Sequence, residues 1–236
     1  MRRVEIQKCP ELQVGAYLTR TNSNRRERRI DNPLVAGSSP ARPTTLFHDR
    51  RWNQYPPWAD YSRSMPITPD TKNWTWVLER PCTECGFDST TITFADVPDL
   101  VRRNAAGWGE VLQREDVTVR PNSETWSALE YSAHVRDVFR IFRARLEQML
   151  QFDDPHFENW DQDATAIADR YNEQDSATVA SELADAAEAV ASAFESVAEG
   201  QLGRRGLRSD GSAFTVESLA MYFIHDPIHH LHDVSG

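Results

Sequence analysis

Cysteine is scarce in this chain of 236 residues, with only Cys9, Cys82 and Cys85 present. Three thiols make no disulfide framework, which excludes the stapled secreted mini-domain as a class. No run of eighteen apolar residues occurs, so no transmembrane helix is expected. The opening Met1-Arg2-Arg3 leads into no apolar core of the kind a signal peptide needs, and the cytoplasm is the expected location. Lysine is nearly missing as well. Apart from Lys8 and Lys72 every basic residue is arginine, a bias that goes with abundant alanine and points to GC-rich coding more than to chemistry. Alternating apolar and polar runs are missing from residues 90–236, which argues against a sheet protein.

What is present is acidic and unevenly charged. The net charge is −10 with 39% hydrophobic residues, which suits a soluble domain. Residues 1–66 carry twelve Arg and Lys against six Asp and Glu, whereas residues 67–236 carry fourteen against thirty. A shift of that size marks a boundary. The acidic body would repel phosphates, so neither nucleic acid nor membrane is an expected partner; a small-molecule substrate is.

Residues 1–66 read as a basic, proline-rich, disordered extension. Arg25, Arg26, Arg28 and Arg29 form a basic knot, and Pro33, Pro40, Pro43, Pro56 and Pro57 interrupt any regular element. Residues 34–44 resemble a translated tRNA gene, because the T-arm consensus reads Gly-Ser-Ser-Pro in frame and matches Gly37-Ser38-Ser39-Pro40. This places the expected true start downstream, at Met65. Residues 67–92 form an irregular segment with Trp74, Trp76 and the pair Cys82-Thr-Glu-Cys85. That pair reads as half of a zinc knuckle, as a redox pair, or as two unreactive thiols. Aromatic surface at Trp74 and Trp76 would support a homodimer.

Four amphipathic helices follow. The first covers about 95–114, capped by Asp96 or Thr93, with Pro98 at an early position. The second covers about 127–151 and opens on a Ser127/Glu130 capping box. A long acidic loop, 151–175, carries Pro155, Trp160 and a short helix near 163–171; a loop of that length is often functional. The third helix, 176–199, is capped by Asp175 or Ser176, is rich in alanine and stops at Gly200. The fourth starts at Thr215 or Val216. With no strand pattern, the expectation is an all-α protein with a four-helix bundle over 93–236.

Four of the seven histidines fall in the last twelve residues, in His225-Asp-Pro-Ile-His229-His230-Leu-His232-Asp233. On a helix, His225 and His229 project from one face one turn apart and can share a divalent ion. On the second helix His134 shares an apolar stripe with Tyr131, Val138 and Ile141, so it faces the bundle interior, where a polar group needs a partner. Two histidines from one helix and one from another make a facial set with open positions, as catalytic sites require. The alternative is that the imidazoles satisfy one another. His230 and His232 read as a solvated helix end. The stretch approaches the zinc-protease HExxH, but Asp226 is one carbon short of the Glu base, no downstream ligand remains, and Pro227 is expected to kink the helix.

Trp126-Ser-Ala-Leu-Glu-Tyr-Ser-Ala-His134-Val-Arg-Asp137, followed by His225-Asp-Pro-Ile-His229-His230-Leu, resembles the DinB-like four-helix-bundle superfamily over residues 90–236. The resemblance implies an up-up-down-down bundle and a divalent metal, zinc or nickel, on His134, His225 and His229; three imidazoles suit iron as well. It also implies one of two functions. One is a transferase that uses a low-molecular-weight thiol such as mycothiol or bacillithiol, or a hydrolase that uses activated water, on a small electrophile. The other is a non-catalytic metal-binding, stress-associated module. On this reading Asp137 and Tyr222 are the candidate catalytic residues and Trp160 a pocket residue. Arg136 and Arg140, with Arg143, would hold the carboxylates of a thiol.

Overall fold

The computed structural model describes Ile67 and residues 72–235. The chain divides into two units, Met1–Asn53 and Gln54–Gly236, and all described residues belong to the second. The readings made for residues 1–66, including the basic knot, Cys9 and the start at Met65, lie outside the described residues.

Each main helix begins where a side chain satisfies its free amide groups. Thr93 and Asp96 form a capping box on a 3₁₀ turn, Phe94–Asp96, that runs into α1 (Val97–Val111) with Pro98 in its first turn. Ser127 and Glu130 form the predicted box on α2 (Ala128–Gln151). Asp175 caps α4 (Ser176–Glu195), and Thr215 with Ser218 caps α5 (Val216–Asp233). A short α3 (Gln162–Ala168) lies in the acidic loop, capped by Asp161.

Both α1 and α2 pack against α4 and α5, so consecutive helices α1 and α2 lie diagonally, as do α4 and α5. This is the arrangement of the expected up-up-down-down four-helix bundle. Alanines on the buried side of α4 (Ala186, Ala187, Ala191) let α1 and α2 approach closely. The centre is aromatic: Phe194 and Phe223 stack at 5.4 Å, and Phe139 and Phe142 meet Phe223 at 5.9 and 5.1 Å. Asn104 on α1 donates to the carbonyl of Pro227, 2.7 Å away, and α5 runs through that proline as one helix.

The all-α expectation omits a small sheet of order β1-β2-β3: β1 (His156–Phe157) lies parallel to β2 (Arg205–Arg208), which pairs antiparallel with β3 (Ala213–Thr215). Two to four residues per strand are too few to show a period of two. The sheet ties the loop after α2 to the entry of α5. Gly206 makes the close approach possible, since a Cβ there would lie 2.8 Å from both Met149 Cγ and Phe157 Cε1. No described helix is long and apolar enough to cross a membrane.

Candidate metal centre

Helix α5 carries two pairs of donors at i, i+4 spacing. His225 and His229 form one stripe; Asp226 and His230 form the next, about 100° further round the axis. Against the second stripe α2 places His134, which is fully buried. His134, Asp226 and His230 each bring one ligand atom to a common point, all within 4.8 Å of one another. Asp226 Oδ1 lies 3.3 Å from His134 Nε2 and 3.9 Å from His230 Nε2. Both nitrogens of His134 and Oδ1 of Asp226 are buried yet make no hydrogen bond. Buried polar atoms without partners are rare, and a cation between His134 Nε2 and Asp226 Oδ1 would satisfy both of those atoms. Burial works against the Asp226 charge, but the imidazoles of His134 and His230 outweigh it and hold the carboxyl at about 2.

The surroundings fix these rings. Trp160, from the long acidic loop, stacks on His134 at 5.2 Å with an interplanar angle of 5° and is itself anchored by a 2.7 Å bond from its Nε1 to Thr165. Tyr131 lies against His230 at 4.9 Å. His230 Nδ1 sits 3.1 Å from Asp233 Oδ2, which turns Nε2 toward Asp226. The expected solvated end therefore applies to His232, which is exposed, while His230 faces inward and is half-buried.

The stripe of His225 and His229 meets different partners. Their rings lie 5.1 Å apart, so Pro227 does not splay them. Their ligand atoms converge, again within 4.8 Å, with those of Cys82 and Cys85. The set His134, His225 and His229 is thus divided between two groups. The cause is the phase of α5, whose 226/230 stripe faces α2 while its 225/229 stripe faces the segment before α1. Trp74 and Trp76, on which the dimer expectation rests, are half-buried and pack beside His225, at 5.4 and 6.5 Å.

A cavity of about 980 Å³ opens beside both groups and is lined by His225, Asp226, His229 and His230 together with Trp126, Tyr131, Trp160 and Tyr222. Its floor holds two buried guanidinium groups that the sequence does not single out, Arg145 and Arg208. Arg208 donates to Tyr222 Oη at 3.1 Å and pairs with Asp210 at 2.7 Å. Arg145 donates to the carbonyl of Glu158 at 2.9 Å; burial and the neighbouring Arg208 charge push it down to about 10. Of the two cations, Arg208 takes the Asp210 carboxylate, while Arg145 bonds to a carbonyl.

The other predicted site residues lie elsewhere. Asp137 touches no imidazole: it accepts from Arg136 (2.9 Å), Arg140 (3.1 Å) and the buried Tyr171 hydroxyl (2.6 Å). Arg136 and Arg140 turn to Glu182 on α4, and Arg143 pairs with Glu147. None of these arginines lines the cavity. In the sequence, the signal for Asp226 and His230 is a second i, i+4 donor pair one residue along from the first; nothing comparable marks Arg145 and Arg208.

Two imidazoles and one carboxylate beside an open cavity suit a divalent ion with free coordination positions. Among solved structures, one similar chain is described as "YfiT from Bacillus subtilis is a probable metal-dependent hydrolase with an unusual four-helix bundle topology"; it is 16% identical, with a TM-score of 0.49, over 74% of this chain and 96% of that one. No curated protein matches the chain. The family model of the DinB superfamily matches residues 99–234, more than half of the sequence and all of α4 and α5. The chain belongs to the DinB superfamily.

Proposed function

We propose that this protein is a divalent-metal-dependent enzyme whose ion is held by His134, Asp226 and His230, and that it acts on a small electrophile bearing an anionic group. The observation that carries the reading is the convergence of three donors from α2 and α5, two of which, Asp226 and His230, line a large cavity, with His134 and Asp226 atoms buried and unbonded. An ion so held supplies Lewis acidity and makes water or a thiol nucleophilic near neutral pH. The chain's own residues do the rest. Trp160 and Asp233 hold the His134 and His230 rings in place. Val138, Phe142 and Trp126 make part of the cavity wall apolar, which strengthens charge interactions inside it. Arg145 and Arg208 hold more positive charge than Asp210 offsets, and with the Tyr222 hydroxyl they suit a carboxylate on the substrate or on a thiol co-substrate.

Elemental analysis of untagged protein tests the site: His134→Ala and Asp226→Ala should each lose one equivalent of bound metal. Full retention in both variants overturns the assignment. Metal-loaded protein is then incubated with an activated ester and with a chlorinated aromatic acid, each with and without a carboxylate-bearing thiol. Turnover without thiol identifies a hydrolase and turnover that requires it a transferase. No turnover under any condition, with metal bound, supports a binding module instead.

A further inference from the structure

A second metal site, separate from the first, can be argued from the Cys82-Thr-Glu-Cys85 turn. The turn is built to present two sulfurs to one side. Cys82 N–H donates to Phe87 O at 2.7 Å and Gly86 N–H donates back to Cys82 O at 2.9 Å, while Gly86 takes φ +75°, where side chains are strained. The turn faces α5 at the stripe of His225 and His229. Cys82 is 1% exposed, His225 3% and His229 7%.

We propose that Cys82, Cys85, His225 and His229 form a closed structural zinc site that fastens the segment before α1 to the last helix. Four donors, two thiols and two imidazoles, have ligand atoms within 4.8 Å of one another, and Cys82 Sγ lies 3.6 Å from His229 Nδ1. A zinc tetrahedron with these ligands has edges of roughly 3.4–3.8 Å. The orientation of His229 fits ligation. Its Nε2 faces Glu84 (3.3 Å) and Asp233 (3.7 Å), so the proton belongs on that nitrogen and the Nδ1 lone pair points at the sulfurs. Nε2 of His225 is buried without a hydrogen bond. Rings of Trp74 (5.4 Å) and Phe87 (5.5 Å) enclose His225, and Trp74 also covers His229 at 5.0 Å.

The two groups differ in the way that separates structural from catalytic zinc: four protein donors close this one, whereas the His134 group has three and an open side. Both cysteines precede the region matched by the family model, so the site joins a segment outside that match to a helix within it.

Full-length untagged protein is titrated with cobalt(II). Two equivalents are expected, with a sulfur-to-cobalt charge-transfer band for one of them. Cys85→Ser should lose one equivalent and the band. His134→Ala should lose one equivalent and keep the band, so failure of the first site and failure of this one read differently. Cobalt binding without the band, or a Cys85→Ser variant that retains it, overturns the proposal. The wild type gives a check that needs no variant: Cys82 and Cys85 should be protected from a thiol reagent with zinc bound and react after chelation. Equal reactivity in both states, or a disulfide between them in native protein, also overturns it.

Discussion

Replacing Asp137 with Asn tests what that carboxylate does. Its oxygens accept from Arg136, Arg140 and Tyr171, and it lies one turn after His134 on α2 without contacting any imidazole. Arg136 and Tyr171 are 5% and 0% exposed, so the variant leaves a buried guanidinium without one of its two counter-charges and a buried hydroxyl facing an amide. Breaking a buried ion pair costs about 3–5 kcal/mol; because Arg136 also reaches Glu182 and Gln174, the lower end, about 3 kcal/mol, applies. In a folded unit of this size that lowers Tm by about 6–12 °C. The pH dependence has a definite sign. Burial opposes the Asp137 charge, but the Arg136 and Tyr171 hydrogen bonds outweigh it and depress the folded pKa. The stabilisation is therefore complete above the unfolded value of about 3.9 and disappears as pH falls through the lower folded value. Urea denaturation followed by circular dichroism should show a wide gap between wild type and variant at neutral pH that narrows below about pH 4. Metal content should not change. A variant within about 0.5 kcal/mol of wild type at neutral pH, or one that loses metal, refutes the reasoning.

Two further substitutions separate packing from chemistry. Gly206→Ala drives a methyl group against Met149 and Phe157 and should cost about 1–3 kcal/mol in urea denaturation with both metal equivalents retained. Arg208→Met removes a cation from the cavity floor and should raise KM for a carboxylate-bearing electrophile on the order of tenfold, the loss of one charged hydrogen bond, while kcat and metal content hold.

The bundle was legible because its signals are local. Ser127/Glu130 and Asp175 announce helix starts, and the apolar stripe of α2 announces its buried face. The sheet was not, because β1 exists only through its pairing with β2, fifty residues away, and two residues carry no pattern. Arg145 and Arg208 were invisible for a related reason. Isolated arginines read as surface, and only the fold puts an α2 residue and a β2 residue on one cavity floor.

The histidine cluster shows where sequence spacing stops being sufficient. Residues 225 and 229 and residues 226 and 230 offer two equally good i, i+4 pairs, and choosing between them means knowing the rotation of α5 to within about 100°. Apolar periodicity sets that rotation only coarsely, because the helix is buried on much of its circumference. A closed site on Cys82, Cys85, His225 and His229 would set it much more tightly, since ligand bonds tolerate only tenths of an ångström. His229 and His230 are consecutive, with rings 5.7 Å apart, so holding the first stripe against the cysteine turn necessarily aims Asp226 and His230 at His134. On this view the ion at the cysteine site positions the ligands of the His134 site. Cys85→Ser should then weaken metal binding at the His134 group as well as abolish its own site, whereas His134→Ala should leave the cysteine site at full affinity. Equal independence of the two sites in a cobalt titration would show that packing alone fixes the phase of the helix.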